Sequence, residues 1–330
     1  MEKFRNVEFD AEVGPLTTFG IEARAAALAR WRTADDLAAI VADGSLPRPL
    51  KAIGGGSNLL FVNPFDGTLL LREGAAEIVR EDELTLLADC NVVLDDLCGY
   101  AVGAGLRGLE NLSGIPGTLG GAIVQNAGAY GAETADALES VELFDLTEGR
   151  IVEKSRRELD FGYRTSALKQ AGGRYVALRA RLRLQPADAA PKLDYGNLRA
   201  LLEGRTPTPQ AVREAVLDVR RSKLPDPAQV GSAGSFFRNP EVSAELLQAD
   251  MPRFELPDGL YKVPAAWLID RCGLKGASVG GASTWPGQPL VIVNTCGQAT
   301  AADVVALEKR ITDTVAGRYG IILTPEVEHL

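Results

Sequence analysis

The sequence predicts a multidomain protein of the α+β class. Its 330 residues exceed what a single hydrophobic core usually organises, so two or three compact units are expected. Strand-like runs alternate with helix-like stretches, and no repeat with a fixed period is present, which argues against a solenoid or a propeller. Apolar residues make up 46% and charged residues 24% of the chain, so the whole chain is expected to fold.

The N-terminal part contains two helix signals and a glycine turn. The stretch from Thr33 to Gly44 predicts a short amphipathic helix, capped by Thr33, with Asp36 in its first turn and Gly44 as its stop. The run LKAIGGGSNLLFV predicts a strand, a triple-glycine turn and a second apolar strand. A further helix is expected from Leu94 to Ala104.

The later part of the chain contains strand runs followed by two long helices. The runs VELFDL, RIVEK and YVALRARLRL predict strands. Thr208 as a cap and Pro209 at the first helical position predict a helix that opens another domain. A last helix is expected from Thr300, with Asp303 in its first turn, to about Gly317, and the segment IILTPEVEHL is expected to end the chain as a strand.

Charge and residue counts exclude several classes of function. The net charge of -9 opposes binding to nucleic acid or to an anionic membrane. His329 is the only histidine, which excludes a His-based zinc site and a Ser-His-Asp triad, and no metal site is expected. The four cysteines lack paired spacing, as in a reducing cytosol.

The N-terminal segment and the longest uncharged run predict a soluble, cytoplasmic protein. The charged N-terminus MEKFRNVEFD lacks the apolar region of a signal peptide. The longest uncharged run, residues 111–132, contains Pro116 and six glycines, so it predicts a loop-rich segment and no membrane span. A monomer is expected because no apolar stripe is left over once the core is assigned.

The first glycine segment has the composition of a phosphate-binding loop. Its backbone N–H groups can approach phosphate oxygens closely, and hydroxyl and amide side chains can complete the contact. A plain tight turn is the structural alternative. The segment consists of Gly54, Gly55, Gly56, Ser57 and Asn58.

A second glycine-rich segment, SGIPGTLGGAIVQNAGAYG, extends the same pattern over nearly twenty residues. Two separate glycine-rich, uncharged loops suit a long ligand such as a dinucleotide. Neither loop has the G-x-G-x-x-G of a Rossmann site or the G-x-x-x-x-G-K-[ST] of a P-loop. Rossmann dehydrogenases and P-loop NTPases are therefore not favoured.

Six motifs in order give the chain a specific resemblance: LTTFGIEARA, IGGGSNLLF, SGIPGTLGGAIVQNAGAYG, DFGYRTSAL, KLPDPAQVGSAGSFFRNP and LTPEVEHL. The set resembles the UDP-N-acetylenolpyruvoylglucosamine reductase (UDP-N-acetylmuramate dehydrogenase) family, from about Leu16 to the C-terminus. The resemblance implies a two-lobed FAD-binding fold of the vanillyl-alcohol-oxidase type plus a C-terminal α+β substrate domain. The implied division is 1–74 and 75–207 for the FAD-binding lobes, 208–320 for the substrate domain and 321–330 for a C-terminal strand.

The resemblance implies NADPH-dependent, FAD-mediated reduction of UDP-N-acetylglucosamine enolpyruvate to UDP-N-acetylmuramate, in peptidoglycan precursor synthesis. Ser235, Arg164 and Glu326 match the family's catalytic positions. Hydride from flavin N5 adds to the enolpyruvyl β-carbon, and Arg164 and Glu326, the latter in its protonated form, are expected to stabilise the enolate charge where it develops. Because no histidine is available, the Ser235 hydroxyl is expected to protonate the α-carbon.

The remaining site residues also follow from the motifs. Substrate contacts are expected from Tyr163, Lys223, Asn239 and Tyr195, the last matching a tyrosine that closes over the substrate in one subtype. FAD, held noncovalently because the loops lack histidine, is expected to contact Gly54, Gly55, Gly56, Ser57, Asn58, Ile115, Pro116, Gly117, Thr118, Gly120, Gly121, Gln125, Asn126, Gly128, Ala129, Tyr130 and Arg220.

Two other functions stay open at this stage. One is another noncovalent FAD oxidoreductase of the same fold that acts on an alcohol or a sugar, and the other is a flavin or nucleotide-sugar binder without turnover. Each residue also has a structural alternative, such as a surface ion pair for Arg164 or a helix cap for Ser235. The chain departs from the family pattern at Thr284, Trp285 and Pro286, which leaves the local substrate contacts open.

Overall fold

The computed structural model describes residues 6–330 of the chain. These residues form two units, and both combine strands with helices, so the predicted α+β class is confirmed. The first unit comprises 6–11, 25–55 and 66–220, and the second comprises 12–24, 56–65 and 221–330.

Eight α-helices lie within residues 6–330. They are α1 (Ala34–Ala42), α2 (Leu94–Gly103), α3 (Leu119–Gln125), α4 (Ala167–Gln170), α5 (Leu198–Leu201), α6 (Pro209–Lys223), α7 (Ala265–Arg271) and α8 (Ala301–Tyr319). None of them is long and apolar enough to cross a membrane.

The predicted helix starts are confirmed, whereas one predicted end is wrong. Thr33 and Asp36 form a reciprocal capping box at α1, and an equivalent box opens α8. Helix α8 continues past Gly317 to Tyr319, where Gly320 adopts a φ of 67°. A glycine ends a helix where it takes this left-handed conformation, and Gly317 stays within the helix.

Two sheets lie almost wholly in the first unit and account for the two predicted lobes. The first sheet has four strands, in the order Val7–Glu12, Arg24–Trp31, Phe65–Arg72 and Leu50–Ile53. The second sheet has five antiparallel strands, in the order Arg150–Ser155, Leu138–Asp145, Tyr175–Arg183, Thr85–Asp89 and Ile78–Arg80. Short two-stranded pairs join Leu106–Arg107 to Gln185–Pro186 and Gly128–Ala129 to Ala132–Glu133.

The core of the first unit reflects the period of its strands. Alternate residues of Tyr175–Arg183 are buried, as expected for a strand with one face on a core. Val176 and Leu178 on that strand pack with Trp31 and Leu37 of the four-stranded lobe. The two lobes therefore share apolar contacts.

Helix α6 packs within the first unit. Its start is as predicted, because the Thr208 hydroxyl accepts a hydrogen bond from a first-turn amide at 3.2 Å. Its apolar face, including Val212 and Val216, contacts Leu198 in the segment just before it. The second unit accordingly resumes at Arg221 and not at the boundary near 208 expected from the sequence.

The second unit combines a four-stranded sheet with two helices and shorter strands. The sheet order is Gly231–Ser235, Gln288–Asn294, Ala282–Trp285 and Ser278–Val279; Glu241–Val242, Tyr261–Lys262 and Phe254–Glu255 form a smaller sheet. The buried side chains of Phe236 and Phe237 pack with Leu268 of α7 and Leu307 of α8.

The C-terminal segment is less regular than predicted. Only Glu328–His329 is a strand, and it pairs in parallel with Leu59–Leu60. Pro325 makes a single bridge to Phe237. Because proline has no N–H to donate, a longer continuous ladder is interrupted there.

Candidate active site

The two glycine segments meet inside the first unit. A Cβ on Gly54 would lie 2.5 Å from the Thr118 hydroxyl, and one on Gly55 would lie 2.8 Å from the Gly117 Cα. Side chains are therefore excluded at both positions, and the two backbones approach each other directly. The segments singled out separately in the sequence thus contact each other at Gly54, Gly55, Gly117 and Thr118.

The end of the first glycine segment belongs to the second unit. Gly56 has a φ of 59°, and a Cβ there would lie 2.1 Å from the Leu16 carbonyl oxygen. The Asn58 side chain donates a 3.1 Å hydrogen bond to the Glu326 carbonyl, and the Asn58 carbonyl accepts one from the Glu328 amide at 2.9 Å. Asn58 therefore holds the C-terminal segment that carries Glu326.

The second glycine segment is partly helical. Thr118 caps α3 by accepting a 3.4 Å hydrogen bond from the Gly121 amide, and Gly121 is exposed. Gly120 is buried, and a Cβ there would lie 3.1 Å from the Cys90 carbonyl oxygen. Close packing on the neighbouring strand accounts for Gly120, so only part of the glycine content faces an open side. Ile115 and Pro116 precede the cap and are half-buried.

Asn126 has a structural role that the sequence did not indicate. Asn126 is buried and has a φ of 49° at the end of α3. Its side-chain amide donates to Glu133 at 2.8 Å and to the Gly162 carbonyl at 3.0 Å, and its oxygen accepts from the Ala135 amide at 3.2 Å. The adjacent Gln125 side chain accepts a 2.5 Å bond from Lys169.

Arg164 donates hydrogen bonds to the backbone of the second glycine segment. Its guanidinium donates to the Gly128 carbonyl at 2.7 Å and to the Asn126 carbonyl at 3.3 Å, and it lies 5.0 Å from the Tyr163 ring centre. Its backbone has a φ of 56°, an uncommon conformation for a non-glycine residue. Such conformations cluster at functional sites, where surrounding contacts must hold them.

Arg220 and two tyrosines surround another part of the same segment. Tyr130 and Tyr195 contact edge to face, with ring centres 6.3 Å apart. Burial lowers the pKa of Arg220 and raises the pKa of Tyr130, although each group opposes the shift of the other. A Cβ on Gly114 would lie 3.0 Å from the Arg220 Nε. Ala129 continues the segment as part of the short strand pair.

Ser235 and Glu326 lie on paired backbones in the second unit. Ser235 is exposed and ends its strand, while the two phenylalanines after it are buried. The Phe236 carbonyl accepts a 2.8 Å hydrogen bond from the Glu326 amide. The structure therefore pairs two backbone segments that lie far apart in the sequence, one from the predicted substrate domain and one from the predicted C-terminal strand.

Asn239 and Lys223, the other two predicted substrate contacts of the second unit, are each associated with one end of a helix. The Asn239 side-chain oxygen accepts a 2.9 Å hydrogen bond from the Ala265 amide at the start of α7. Lys223 is the last residue of α6 and is exposed. Arg238, beside Asn239, has a buried Nε without a hydrogen-bond partner among residues 6–330.

His329 has a role that residue counting could not reveal. Its Nε2 lies 2.9 Å from a Glu308 carboxylate oxygen, and its ring packs edge to face on Phe236. The bond to Glu308 raises the pKa of His329, and the Val327 backbone adds to the shift. His329 thus ties the C-terminal strand to α8.

We expect this pairing to make stability depend on pH. Because the folded-state pKa is raised, the stabilisation is fully present below the unfolded pKa and is lost as pH rises through the folded pKa. His329→Gln should lower the free energy of unfolding by about 1 kcal/mol at the acidic end and by less as the pH rises. Denaturant melts across a pH series test this, and an equal loss at every pH would contradict it.

Comparison with known proteins places these features in one family. A family model described as an FAD binding domain matches residues 25–155, and one described as the C-terminal domain of UDP-N-acetylenolpyruvoylglucosamine reductase matches residues 226–330. The N-terminal match covers much of both lobes, and the C-terminal match covers the part that contains Ser235 and Glu326.

Full-length relatives and a solved structure agree with these matches. The UDP-N-acetylenolpyruvoylglucosamine reductase of Neisseria gonorrhoeae is 42% identical over 97% of this chain and 96% of its own length. That of Azoarcus sp. is 40% identical, over 96% of each chain. The crystal structure of the reductase from Thermus caldophilus superposes with a TM-score of 0.70 and 30% identity, over 97% of both chains.

These similarities extend across both units and almost the whole chain. The FAD-binding fold and the C-terminal α+β domain are as predicted. This chain belongs to the UDP-N-acetylenolpyruvoylglucosamine reductase family.

Proposed function

We propose that this protein binds FAD noncovalently and uses NADPH to reduce UDP-N-acetylglucosamine enolpyruvate to UDP-N-acetylmuramate. The observation that carries the proposal is the backbone pairing of the Ser235–Phe237 segment with Pro325 and Glu326. It holds the backbone segments that carry Ser235 and Glu326 beside each other in the region that matches the family's C-terminal domain. The product is a precursor of peptidoglycan.

The glycine segments fit a bound FAD. Gly54 and Gly55 have no room for side chains, so their amides can approach a diphosphate without obstruction. Arg220 supplies a cation beside Gly114, and no hydrogen bond or ion pair joins its guanidinium to another residue of 6–330. The remaining FAD contacts are proposed from the family motifs, with Asn58 and Asn126 acting through the backbone segments that they hold.

Each catalytic side chain has a distinct task. Bound FAD supplies the means of carrying a hydride from NADPH to the enolpyruvyl β-carbon. Ser235 delivers a proton to the α-carbon, and its exposure leaves it open to reprotonation by water. Arg164, through its positive charge, and Glu326, as a hydrogen-bond donor, stabilise the negative charge that develops on the substrate carboxylate. Tyr163, Tyr195, Lys223 and Asn239 bind the nucleotide sugar.

The setting of the protein is proposed from its composition and its substrate. A cytoplasmic monomer fits the nucleotide-sugar substrate, and the net charge of -9 disfavours nucleic acid and anionic membranes as partners.

An anaerobic titration tests the proposed function. The FAD-loaded protein should lose its flavin absorbance on addition of NADPH and regain it on addition of UDP-N-acetylglucosamine enolpyruvate. Recovery only with oxygen would favour an oxidase that acts on an alcohol or a sugar. A protein that cannot be loaded with FAD would overturn the proposal.

The contact between the glycine segments predicts the effect of a single methyl group. Gly55→Ala would place a Cβ 2.8 Å from the Gly117 Cα, so the two segments must separate. We expect FAD to bind at least about tenfold more weakly, which corresponds to about 1.4 kcal/mol. Fluorescence titration of the apoprotein with FAD measures this change.

Gly44→Ala is the matched control for Gly55→Ala. It lies in the same unit, has an ordinary φ, and its added Cβ would meet no atom within 4 Å. The control should bind FAD normally. Normal binding by Gly55→Ala as well would mean that the contact between the segments does not support the cofactor.

A further inference from the structure

Thr284, Trp285 and Pro286 lie at a hairpin turn in the second unit. Thr284 anchors this turn: it is fully buried, and its hydroxyl donates a 2.5 Å hydrogen bond to the Leu274 carbonyl. Its amide donates to the Ala277 carbonyl at 2.9 Å. The residues that follow, Trp285 to Gly287, are therefore presented from a fixed base.

The tip of this hairpin closes over the end of α6. The Trp285 indole N–H donates a 3.0 Å hydrogen bond to the backbone carbonyl of Lys223. A Cβ on Gly287 would lie 2.5 Å from that carbonyl oxygen and 2.8 Å from the Trp285 Nε1. A hydrogen bond and a close backbone approach thus converge on one atom.

That carbonyl needs a partner for a general reason. The last four carbonyls of an α-helix have no intrahelical donor, and Lys223 is the final residue of α6. By supplying the donor, Trp285 fixes the backbone from which the Lys223 side chain extends. The Lys223 side chain itself is exposed and makes no ion pair with another residue of 6–330.

We propose that Trp285 is a positioning residue for Lys223, and that it sets the affinity for the anionic diphosphate of the nucleotide sugar. The inference rests on the proposed function, in which Lys223 binds that substrate. A lysine gives up much conformational freedom when its ammonium is immobilised. A backbone already fixed by Trp285 lessens the ordering that the ligand must impose.

Calorimetric titration of the oxidised, FAD-loaded protein with UDP-N-acetylglucosamine enolpyruvate tests this without turnover. Trp285→Phe keeps an aromatic ring but removes the N–H, and Gly287→Ala pushes the turn off the Lys223 carbonyl. Each should raise the Kd by about three- to tenfold, the loss of roughly one hydrogen bond. In steady state, KM should rise while kcat stays unchanged.

A double variant shows whether Trp285 acts through Lys223. Lys223→Ala should weaken binding, and Trp285→Phe added to it should weaken binding no further. Gly317→Ala, in α8 with open space around its Cβ, is the control and should bind as the unmodified protein does. Retained flavin absorbance and an unchanged Tm show that each variant is folded.

The outcomes separate this inference from the proposed function. Equal Kd values for the unmodified protein and Trp285→Phe, or additive effects in the double variant, would overturn the inference alone. If the unmodified protein does not bind the substrate, the proposed function fails, and the inference fails with it.

Discussion

Replacement of Ser235 by alanine is expected to slow the oxidation of the reduced enzyme by UDP-N-acetylglucosamine enolpyruvate by about 10²- to 10⁴-fold. The hydroxyl is the proton source for the α-carbon, and residues 6–330 contain no histidine but His329, whose ring is paired with Glu308. Reduction by NADPH should keep its rate, because no proton is delivered to a substrate carbon in that half-reaction. Anaerobic stopped-flow absorbance follows the two half-reactions separately.

Ser243→Ala provides the control for Ser235→Ala. Ser243 lies in the same unit and is exposed, and its side chain makes no capping hydrogen bond. This variant should complete both half-reactions at the normal rate. If Ser235→Ala oxidised normally, water or another side chain would have to supply the proton, and the assigned mechanism would be wrong.

Local signals in the sequence predicted the four longest of the eight helices described within residues 6–330. Thr33 with Asp36, and Thr300 with Asp303, satisfy exposed amides at helix starts, and this chemistry requires only neighbouring residues. Helix ends were harder to predict, since Gly317 and Gly320 are both plausible stops. The backbone conformation, which depends on tertiary packing, distinguishes the two glycines.

Glycine content indicated two backbone segments that approach each other closely, but it did not indicate the role of each residue. Gly54 and Gly55 lack room because the other glycine segment lies against them. Gly120 lacks room because a strand lies behind it, and the Asn126 side chain is occupied by hydrogen bonds within the protein. A sequence motif contains both residues at the contact between the two glycine segments and residues that serve internal packing or hydrogen bonding. Only the contacts in the structure distinguish the two groups.

Pairs of residues far apart in the chain could not be predicted. His329 and Glu308 meet because the C-terminal strand crosses α8, and Trp285 reaches Lys223 because a hairpin folds over the end of α6. Neither pair has a spacing that a helix or strand period would indicate. The family resemblance did not help with Trp285, because it implied no role for that residue.

Removal of the Glu326 carboxyl group is expected to slow substrate reduction by about 10²- to 10³-fold, the usual cost of losing one group that stabilises charge in a transition state. The backbone hydrogen bonds of Glu326 to Asn58 and Phe236 do not require its side chain, so Glu326→Ala should keep the fold of the terminal segment. Single-turnover oxidation of the reduced enzyme by the substrate measures the loss.

Glu326→Gln distinguishes stabilisation by a hydrogen-bond donor from a purely steric role. The amide keeps the size of the carboxyl group and retains N–H donors, so it should recover part of the rate lost in Glu326→Ala if the group acts by donating to the developing charge. Glu245→Ala, at an exposed position in the same unit, should have no effect. If Glu326→Ala reduced the substrate at the normal rate, the charge on the enolate would have to be stabilised without Glu326, and Arg164 would be the remaining candidate.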